Sequence, residues 1–354
     1  MKELINRLRE TQSLEREEFK ELLEIELQER SKPHQEREIS NYLFEQAKEV
    51  RDSIFGDKVF KRGLIEISNY CKNNCYYCGI RSSNHSIGRY RLTKEQILDC
   101  CKTGYGLGFR TFVLQGGEDT YIADEEMANI IYSIKTIYPD CAITLSIGEK
   151  EKATYKRFFD AGADRYLLRH ETSNVKHYEK LHPASMSWEN RIRCLENLKA
   201  IGFQVGCGIM VGSPFQTIEN IVEDICFIKD FSPHMVGIGP FISHHQTPFA
   251  NEENGSVEQT LFILGIMRLL NPRVLLPSTT ALGTLDPKGR EKGILAGANV
   301  VMPNLSPISV RKNYELYDNK ICTDEEAAEC CELLEKRINA IGYRTVVERG
   351  DYKD

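Results

Sequence analysis

With 354 residues, 46 basic and 52 acidic, the chain carries a formal net charge of −6. That balance leaves no basic face for a phosphate backbone, so no nucleic-acid partner is expected; no apolar run approaches the ~20 residues that cross a bilayer, so no membrane partner is expected either. Its 12 cysteines are too irregularly placed, in too long a chain, for a secreted disulfide framework. With a charged opening from Met1 to Glu10 the expected location is the reducing cytoplasm, where close-spaced cysteines point to metal.

Between residues 2 and 50, Leu4, Ile5, Leu8, Leu14, Phe19, Leu22, Leu23 and Ile25 recur at roughly helical spacing in a charged background. This predicts two or three helices lying outside the main core, an N-terminal extension over residues 1–58. Beyond Arg62 the period changes, and short runs of Val, Ile and Leu alternate with longer amphipathic stretches, the pattern of βα units feeding a parallel sheet. Eight strands are predicted, over 63–70, 111–115, 142–147, 165–169, 204–210, 235–239, 274–277 and 299–302. Helices are predicted between them, over 93–107, 124–137, 152–161, 187–201, 217–230, 257–270 and 290–296. Gly104, Gly162, Gly202 and Gly297 lie near the ends of four of these, where a left-handed C-terminal cap takes glycine. The expected fold class is α/β: a full (β/α)8 TIM barrel over residues 59–305, with a C-terminal helical segment, 306–354, packed on it and carrying a helix over 323–341.

Directly after the first predicted barrel strand the chain reads Ile65-Glu-Ile-Ser-Asn-Tyr-Cys71-Lys-Asn-Asn-Cys75-Tyr-Tyr-Cys78-Gly79. Loops at the carboxyl ends of strands are where barrel enzymes put their chemistry. Three thiolates hold three irons of a cubane cluster, and the fourth iron keeps positions open for a small chelating ligand such as the amino and carboxylate groups of S-adenosylmethionine. A structural zinc would need a fourth Cys or His close by, and the nearest histidine, His85, lies seven residues past Cys78; zinc remains the alternative. Either cysteine pair alone is a weak signal, whereas the three-residue then two-residue spacing in this loop is specific in combination.

Other carboxyl-end positions are chemically suggestive. Gly116 and Gly117 end a strand where absent side chains let a backbone approach a ligand, or make an ordinary tight turn; Glu118 and Asp119 beside them suit an ammonium group. Arg169, His170 and Glu171 finish the fourth strand, where buried charge needs a partner or ligand. His170 also fits a satisfied core histidine. His244 and His245 are read as loop residues, because adjacent side chains rarely point at one ion. Thr279, Thr280, Met302 and Tyr314 are placed to face the barrel mouth or to fill the core.

Cys71-x3-Cys75-x2-Cys78, with aromatic Tyr77 before the last cysteine, resembles the cluster loop of the radical S-adenosylmethionine superfamily. Within it, eight further stretches taken in order are similar to the HydE family of FeFe-hydrogenase maturases: Leu114-Gln-Gly-Gly-Glu-Asp119, Thr144-Leu-Ser-Ile-Gly-Glu149, the run from Ala161 to Thr172, Lys180-Leu-His-Pro183, Met210-Val-Gly-Ser-Pro214, Val236-Gly-Ile-Gly-Pro-Phe241, Pro277-Ser-Thr-Thr-Ala-Leu-Gly283 and Gly297-Ala-Asn-Val-Val-Met-Pro-Asn304. The resemblance implies a 4Fe-4S cluster on Cys71, Cys75 and Cys78. It implies S-adenosylmethionine held by Tyr77, Gly116, Gly117, Glu118, Ser146, Glu171, Arg191, Met302 and Tyr314, and a substrate cavity lined by Arg169, Thr279 and Thr280. At Gly116 that family often has Ser, so a side-chain contact is replaced by backbone or water.

The implied activity is reductive cleavage of S-adenosylmethionine to a 5′-deoxyadenosyl radical acting on a sulfur-containing or iron-cysteine precursor of the hydrogenase diiron centre. Implied partners are that small molecule or iron complex, a reductant such as ferredoxin or flavodoxin, and other hydrogenase maturases. A 3-methylornithine synthase-like mutase and a biotin synthase-like sulfur-insertion enzyme are the alternatives; no general acid or base stands out. Some family members carry a second cluster on three C-terminal cysteines. Here Cys322 and Cys330 match two, the third position is Leu333, and Cys331 adjoins Cys330, pointing about 100° away on a helix. A second iron–sulfur cluster is therefore expected to be missing, labile or altered.

Overall fold

The computed structural model describes residues 1–324 and 327–353. Three helices lead, Lys2–Thr11, Arg16–Glu29 and Glu38–Phe55, with Ile5, Leu8, Phe19, Leu22, Leu23 and Leu43 buried along their inner faces. The third packs on the helix Val257–Leu270, where Gly265 lets Leu43 come close: a Cβ there would lie 3.0 Å from Leu43 Cγ. Arg51, fully buried, donates to the carbonyls of Ala298, Gly56 and Lys58 and stacks on Tyr343 at 4.0 Å. One side chain thus ties the leading helices, the sheet and the C-terminal segment together.

Among the described residues nine strands follow: β1 (Lys58–Lys61), β2 (Gly63–Ser68), β3 (Thr111–Gly116), β4 (Ala142–Ser146), β5 (Arg165–Leu167), β6 (Gln204–Val211), β7 (Met235–Pro240), β8 (Val300–Val301) and β9 (Arg344–Val346). Strands β2 to β7 form one parallel sheet in chain order, with Leu64, Val113, Thr144, Arg165 and Gln204 aligned across it. Alternate residues along them, such as Ile65, Leu114 and Leu145, are buried in the main core together with Ile97, Met127 and Ile130 of the covering helices. Helices joining consecutive strands cover the sheet, as parallel pairing requires.

Among the described residues a regular eight-stranded ladder does not close: the continuous sheet stops at six strands, β8, β1 and β9 make a three-stranded parallel sheet, and the only bridge from beyond β8 back to β2 is the isolated one between Asn304 and Leu64. Residues 274–277, expected as the seventh strand, make only isolated bridges, Met235 with Leu275 and Pro277 with Val300. The physical reason is local: Pro277 and Pro303 have no N–H to donate to a ladder, and the Asn299 side chain takes the Leu276 N–H at 2.8 Å.

Helix starts follow their caps. Thr93, Ser187 and Thr217 are N-caps whose hydroxyls accept from the backbones of Gln96, Asn190 and Asn220, so those helices begin one residue later than expected, at Lys94, Trp188 and Ile218. Gly162, Gly202 and Gly297 take positive φ as expected. Gly104 does not cap: it lies inside the helix Lys94–Gly106, where a Cβ would meet Leu305 at 2.5 Å, and Gly108 takes the left-handed turn instead. Of the helix expected over 323–341, residues 325 and 326 lie outside the described residues, and Ala327–Ala340 is helical. The strands β1 and β9 and the short helices Val175–Leu181 and Thr280–Leu285 were not expected. Among the described residues no helix is long and apolar enough to cross a membrane.

Candidate active site

A bulge between Glu66 and Ser68 shifts the register of β2, turning the chain out of the sheet just before the cysteines. The loop that follows has little regular structure and is pinned by polar side chains instead. Asn69, fully buried, donates to the carbonyls of Gly88 and Asn313 at 2.8 and 2.6 Å and accepts from Tyr90 N at 2.8 Å. Arg89 donates to the carbonyls of Asn69, Ile80, Arg81 and Asn84. Two glycines are required by close approach: a Cβ on Gly79 would meet the Glu315 carbonyl at 2.2 Å, and one on Gly117 would meet the Tyr70 carbonyl at 2.2 Å and Cys71 Cβ at 2.7 Å. At Gly116 the nearest atoms are 3.3 Å away, so a serine needs only a small adjustment.

Cys71, Cys75 and Cys78 are half-buried and unbridged. Burial pushes all three thiols up, Cys78 to about 12, and for Cys75 and Cys78 repulsion from a neighbouring cysteine adds to it. Thiolate formation here therefore needs a metal to displace the proton. The spacing of the sulfurs bears on which metal. Among the described residues only His244, His245 and Asp318 form a set of ligating groups whose atoms all lie within 4.8 Å of one another. Sulfurs around one zinc sit ~3.8 Å apart, given Zn–S bonds of about 2.3 Å. The three cysteine sulfurs are spread wider than one ion allows, which suits thiolates that each bind a different iron of a cubane.

Charged side chains from the next three strands gather at the carboxyl ends. Glu118 accepts from Glu149 N at 3.0 Å, and its Oε2 lies 3.2 Å from Lys72 Nζ. Gly148, at φ +77, leaves the room Glu118 occupies. Arg191 donates to Glu149 Oε1 at 2.5 Å and to the Arg169 carbonyl at 2.6 Å. Arg169 approaches Glu171 Oε2 at 3.0 Å, and Glu171 holds a positive φ of 66. Glu118 Oε2, Glu171 Oε2 and Arg169 Nε are buried without a well-formed hydrogen bond. Buried polar atoms left this way call for a ligand with both donors and acceptors, which the amino, carboxylate and ribose groups of S-adenosylmethionine supply. Asp119 is unavailable for an ammonium group, because Arg91 grips it at 2.6 and 2.9 Å while Ser68 and Tyr121 N donate to it.

Tyr77 sits 3.1 Å from His182 Nε2, and His182 Nδ1 lies 3.0 Å from the Tyr178 carbonyl. Burial, then the charge of Arg191, holds His182 down to about 3, so the neutral ring donates from Nδ1 and accepts from the Tyr77 hydroxyl. Tyr314 is buried and accepts from Gln115 Nε2 at 3.3 Å; Ser146 pairs with Gln115 across the strands. Thr279 caps the helix Thr280–Leu285, and Thr280 accepts weakly from Arg290 at 3.4 Å. Met302 packs on the small cluster of Phe60, Met235, Leu275, Val300 and Val346. His170 turns outward, its Nε2 3.7 Å from Asp224 and its ring 4.6 Å from Phe227, as a core histidine.

Three participants escaped the sequence. Glu149 and His182 lie within quoted stretches, but their roles depend on Arg191 and Tyr77 reaching them from other loops. Asp318 joins the two loop histidines at 2.7 Å from His245 Nδ1. The two rings stack nearly parallel, 4.6 Å apart and 16° inclined; His244 Nδ1 accepts from Gln246 N, while its Nε2, 3.8 Å from Asp318, is buried without a hydrogen-bond partner. Cys330 and Cys331 are buried on their helix, Cys331 within the main core, while Leu333 is half exposed.

The family model described as the Radical SAM superfamily matches residues 65–228, from β2 through most of the helix after β6. The [FeFe] hydrogenase maturase subunit HydE of Thermotoga maritima is 42% identical over 341 residues, 96% of this chain and 94% of that protein. The 3-methylornithine synthase of Methanosarcina acetivorans is 30% identical over 302 residues, 85% of this chain and 84% of that protein. The crystal structure of a methylornithine synthase (PylB) superposes with a TM-score of 0.82 at 27% identity, covering 97% of both chains. The sheet, the cysteine loop and the matched model define a radical S-adenosylmethionine enzyme. Within that superfamily the chain belongs to the HydE family of [FeFe]-hydrogenase maturases.

Proposed function

We propose that Cys71, Cys75 and Cys78 hold three irons of a 4Fe-4S cluster, leaving the fourth open to S-adenosylmethionine. The observation that carries this reading is the spread of the three sulfurs beyond the reach of a single ion. The chemistry a bound cluster supplies is delivery of one electron to the sulfonium, giving methionine and a 5′-deoxyadenosyl radical. The chain's own residues bind, orient and exclude water. Glu118 and Glu171 offer the amino group and ribose hydroxyls buried oxygens that face a cation, Lys72 or Arg169, without a well-formed hydrogen bond, while Arg191, oriented by Glu149, provides the cation for the carboxylate. The backbones of Gly116 and Gly117, the Ser146 hydroxyl, the Tyr77 ring fixed by His182, and Tyr314 wall the cofactor, with Met302 as an apolar neighbour. Arg169, Thr279 and Thr280 line the substrate cavity. Residues 1–58 form the helical extension, 59–305 the catalytic unit and 306–354 a cover.

The substrate on this reading is a sulfur-containing or iron-bound cysteine precursor of the hydrogenase diiron centre, the electron comes from a ferredoxin or flavodoxin, and other maturases receive the product. Anaerobic reconstitution tests it: S-adenosylmethionine should change the signal of the reduced cluster, and dithionite should release 5′-deoxyadenosine. Hydrogenase activation in a maturation mixture lacking only this protein should return when it is added back. Zinc in place of iron, or a signal indifferent to S-adenosylmethionine, refutes the reading. The similarity to methylornithine synthases supports a second reading as a carbon-skeleton mutase; incubation with lysine separates the two.

A further inference from the structure

Phe215 combines two unfavourable features. It occupies the third position of a tight turn closed by Gln216 N donating to the Ser213 carbonyl, with φ at +67 where glycine or asparagine is usual. It also leaves 55% of its surface in water. The turn is held from both sides, since the Gln216 amide spans Gly212 N and the Met210 carbonyl and His177 Nε2 donates to the Pro214 carbonyl at 3.0 Å. Backbone strain maintained under an exposed aromatic ring points to a binding role.

The ring has a direct connection to the cysteine loop. Phe215 meets Phe249 edge-on at 6.1 Å between centroids, and Phe249 meets Tyr76 at 6.1 Å; Tyr76 adjoins Cys75 in the chain. Cations frame the patch. Lys180 lies 5.1 Å over the Phe215 ring, and Lys176, four residues earlier, shares its face of the helix Val175–Leu181. The Arg81 guanidinium lies 5.8 Å over Tyr76. Among the described residues none of these three cations has a carboxylate within 4.0 Å, although the chain as a whole carries −6. By contrast Lys72 and Arg91, the latter 4.4 Å over the exposed Tyr121 ring, face the carboxylates of Glu118 and Asp119.

We infer that the surface formed by Phe215, Lys176 and Lys180 is the docking site for a small acidic electron-carrier protein. The step it serves is balanced: the carrier loses one electron, the cluster gains it, and no proton or bond is exchanged. This rests on the cluster reading above. A small patch with unpaired cations suits the transient, electrostatically steered encounter of electron transfer, whose interfaces lie below ~1,200 Å². A second copy of this chain is a poor occupant, because a two-fold contact would set the lysines against each other.

The test uses reconstituted full-length protein and reads 5′-deoxyadenosine formation with two donors, reduced flavodoxin and dithionite. The double variant Lys176→Glu, Lys180→Glu should lose at least tenfold of its flavodoxin-driven rate at low salt and keep its dithionite-driven rate within twofold. Added salt should slow the wild-type flavodoxin reaction steeply and the variant reaction little. Phe215→Gly should lose several-fold of the flavodoxin rate while its Tm stays level or rises, since glycine accepts the turn without strain. Flavodoxin rates equal in wild type and double variant, a parallel fall with both donors, or wild-type product with dithionite but none with flavodoxin would each overturn the docking surface. No product with either donor overturns the cluster reading, and this inference falls with it.

Discussion

Lys320 Nζ lies 2.5 Å from Glu66 Oε1, joining two side chains that are 8% and 1% exposed. Glu66 is on β2, just before the bulge that releases the cysteine loop, and Lys320 belongs to the segment beyond Tyr314 that donates back to the Tyr314 carbonyl at 2.7 Å. The pair therefore ties the segment beyond Tyr314 to the end of β2. Removing one member of a buried pair leaves an uncompensated charge, which costs roughly 3–5 kcal/mol. Lys320→Met should lower the Tm of the metal-free protein markedly, and adding Glu66→Gln should recover much of the loss. If the double variant melts no higher than the single one, the pair does not act as a unit.

Replacing any one of Cys71, Cys75 and Cys78 by Ala should bring iron in anaerobically reconstituted protein from about four per chain to near zero. The C-terminal cysteines should not rescue the count, since Cys331 is buried in the core and Leu333 offers no ligand atom. About four irons remaining in Cys71→Ala would establish a second cluster.

How much of this was legible in the sequence depended on distance along the chain. The cysteine loop was readable because its three thiols are contiguous, and the helix starts because Thr93, Ser187 and Thr217 satisfy neighbouring N–H groups within three residues. The incomplete sheet was not: the apolar pattern over 274–277 is that of a strand, but Pro277 and the Asn299 side chain decide how its backbone bonds. The same limit hid Glu149 and His182, whose functions are set by Arg191 and Tyr77 on other elements. It also hid β9, which pairs with β1 from the far end of the chain.

Glu149 orients Arg191, and that makes a separable prediction. Arg191→Gln removes the cation and should weaken S-adenosylmethionine binding at least tenfold, as loss of a charge-assisted hydrogen bond of about 1.5–3 kcal/mol requires. Glu149→Gln keeps the cation and a hydrogen-bond acceptor, so its loss should be smaller. Calorimetric titration of the reconstituted protein distinguishes them. Equal losses would mean that the carboxylate itself contacts the ligand.

His182 gives the fold a pH dependence with a definite sign. Burial lowers its pKa from 6.5 to about 3, so an unfolded chain binds a proton near 6.5 that the folded chain refuses until far lower pH. Its contribution is therefore present above 6.5 and declines as the pH falls toward 3, at up to ~1.4 kcal/mol per pH unit. His177, also lowered chiefly by burial, adds in the same direction. Melting the metal-free protein at pH 7.5 and pH 5.5 should give a clear drop, and His182→Leu should shrink that drop while lowering Tm at pH 7.5 through loss of the Tyr77 hydroxyl's acceptor. An unchanged pH difference in the variant would show that His182 is not held neutral, and that Tyr77 is fixed by some other contact.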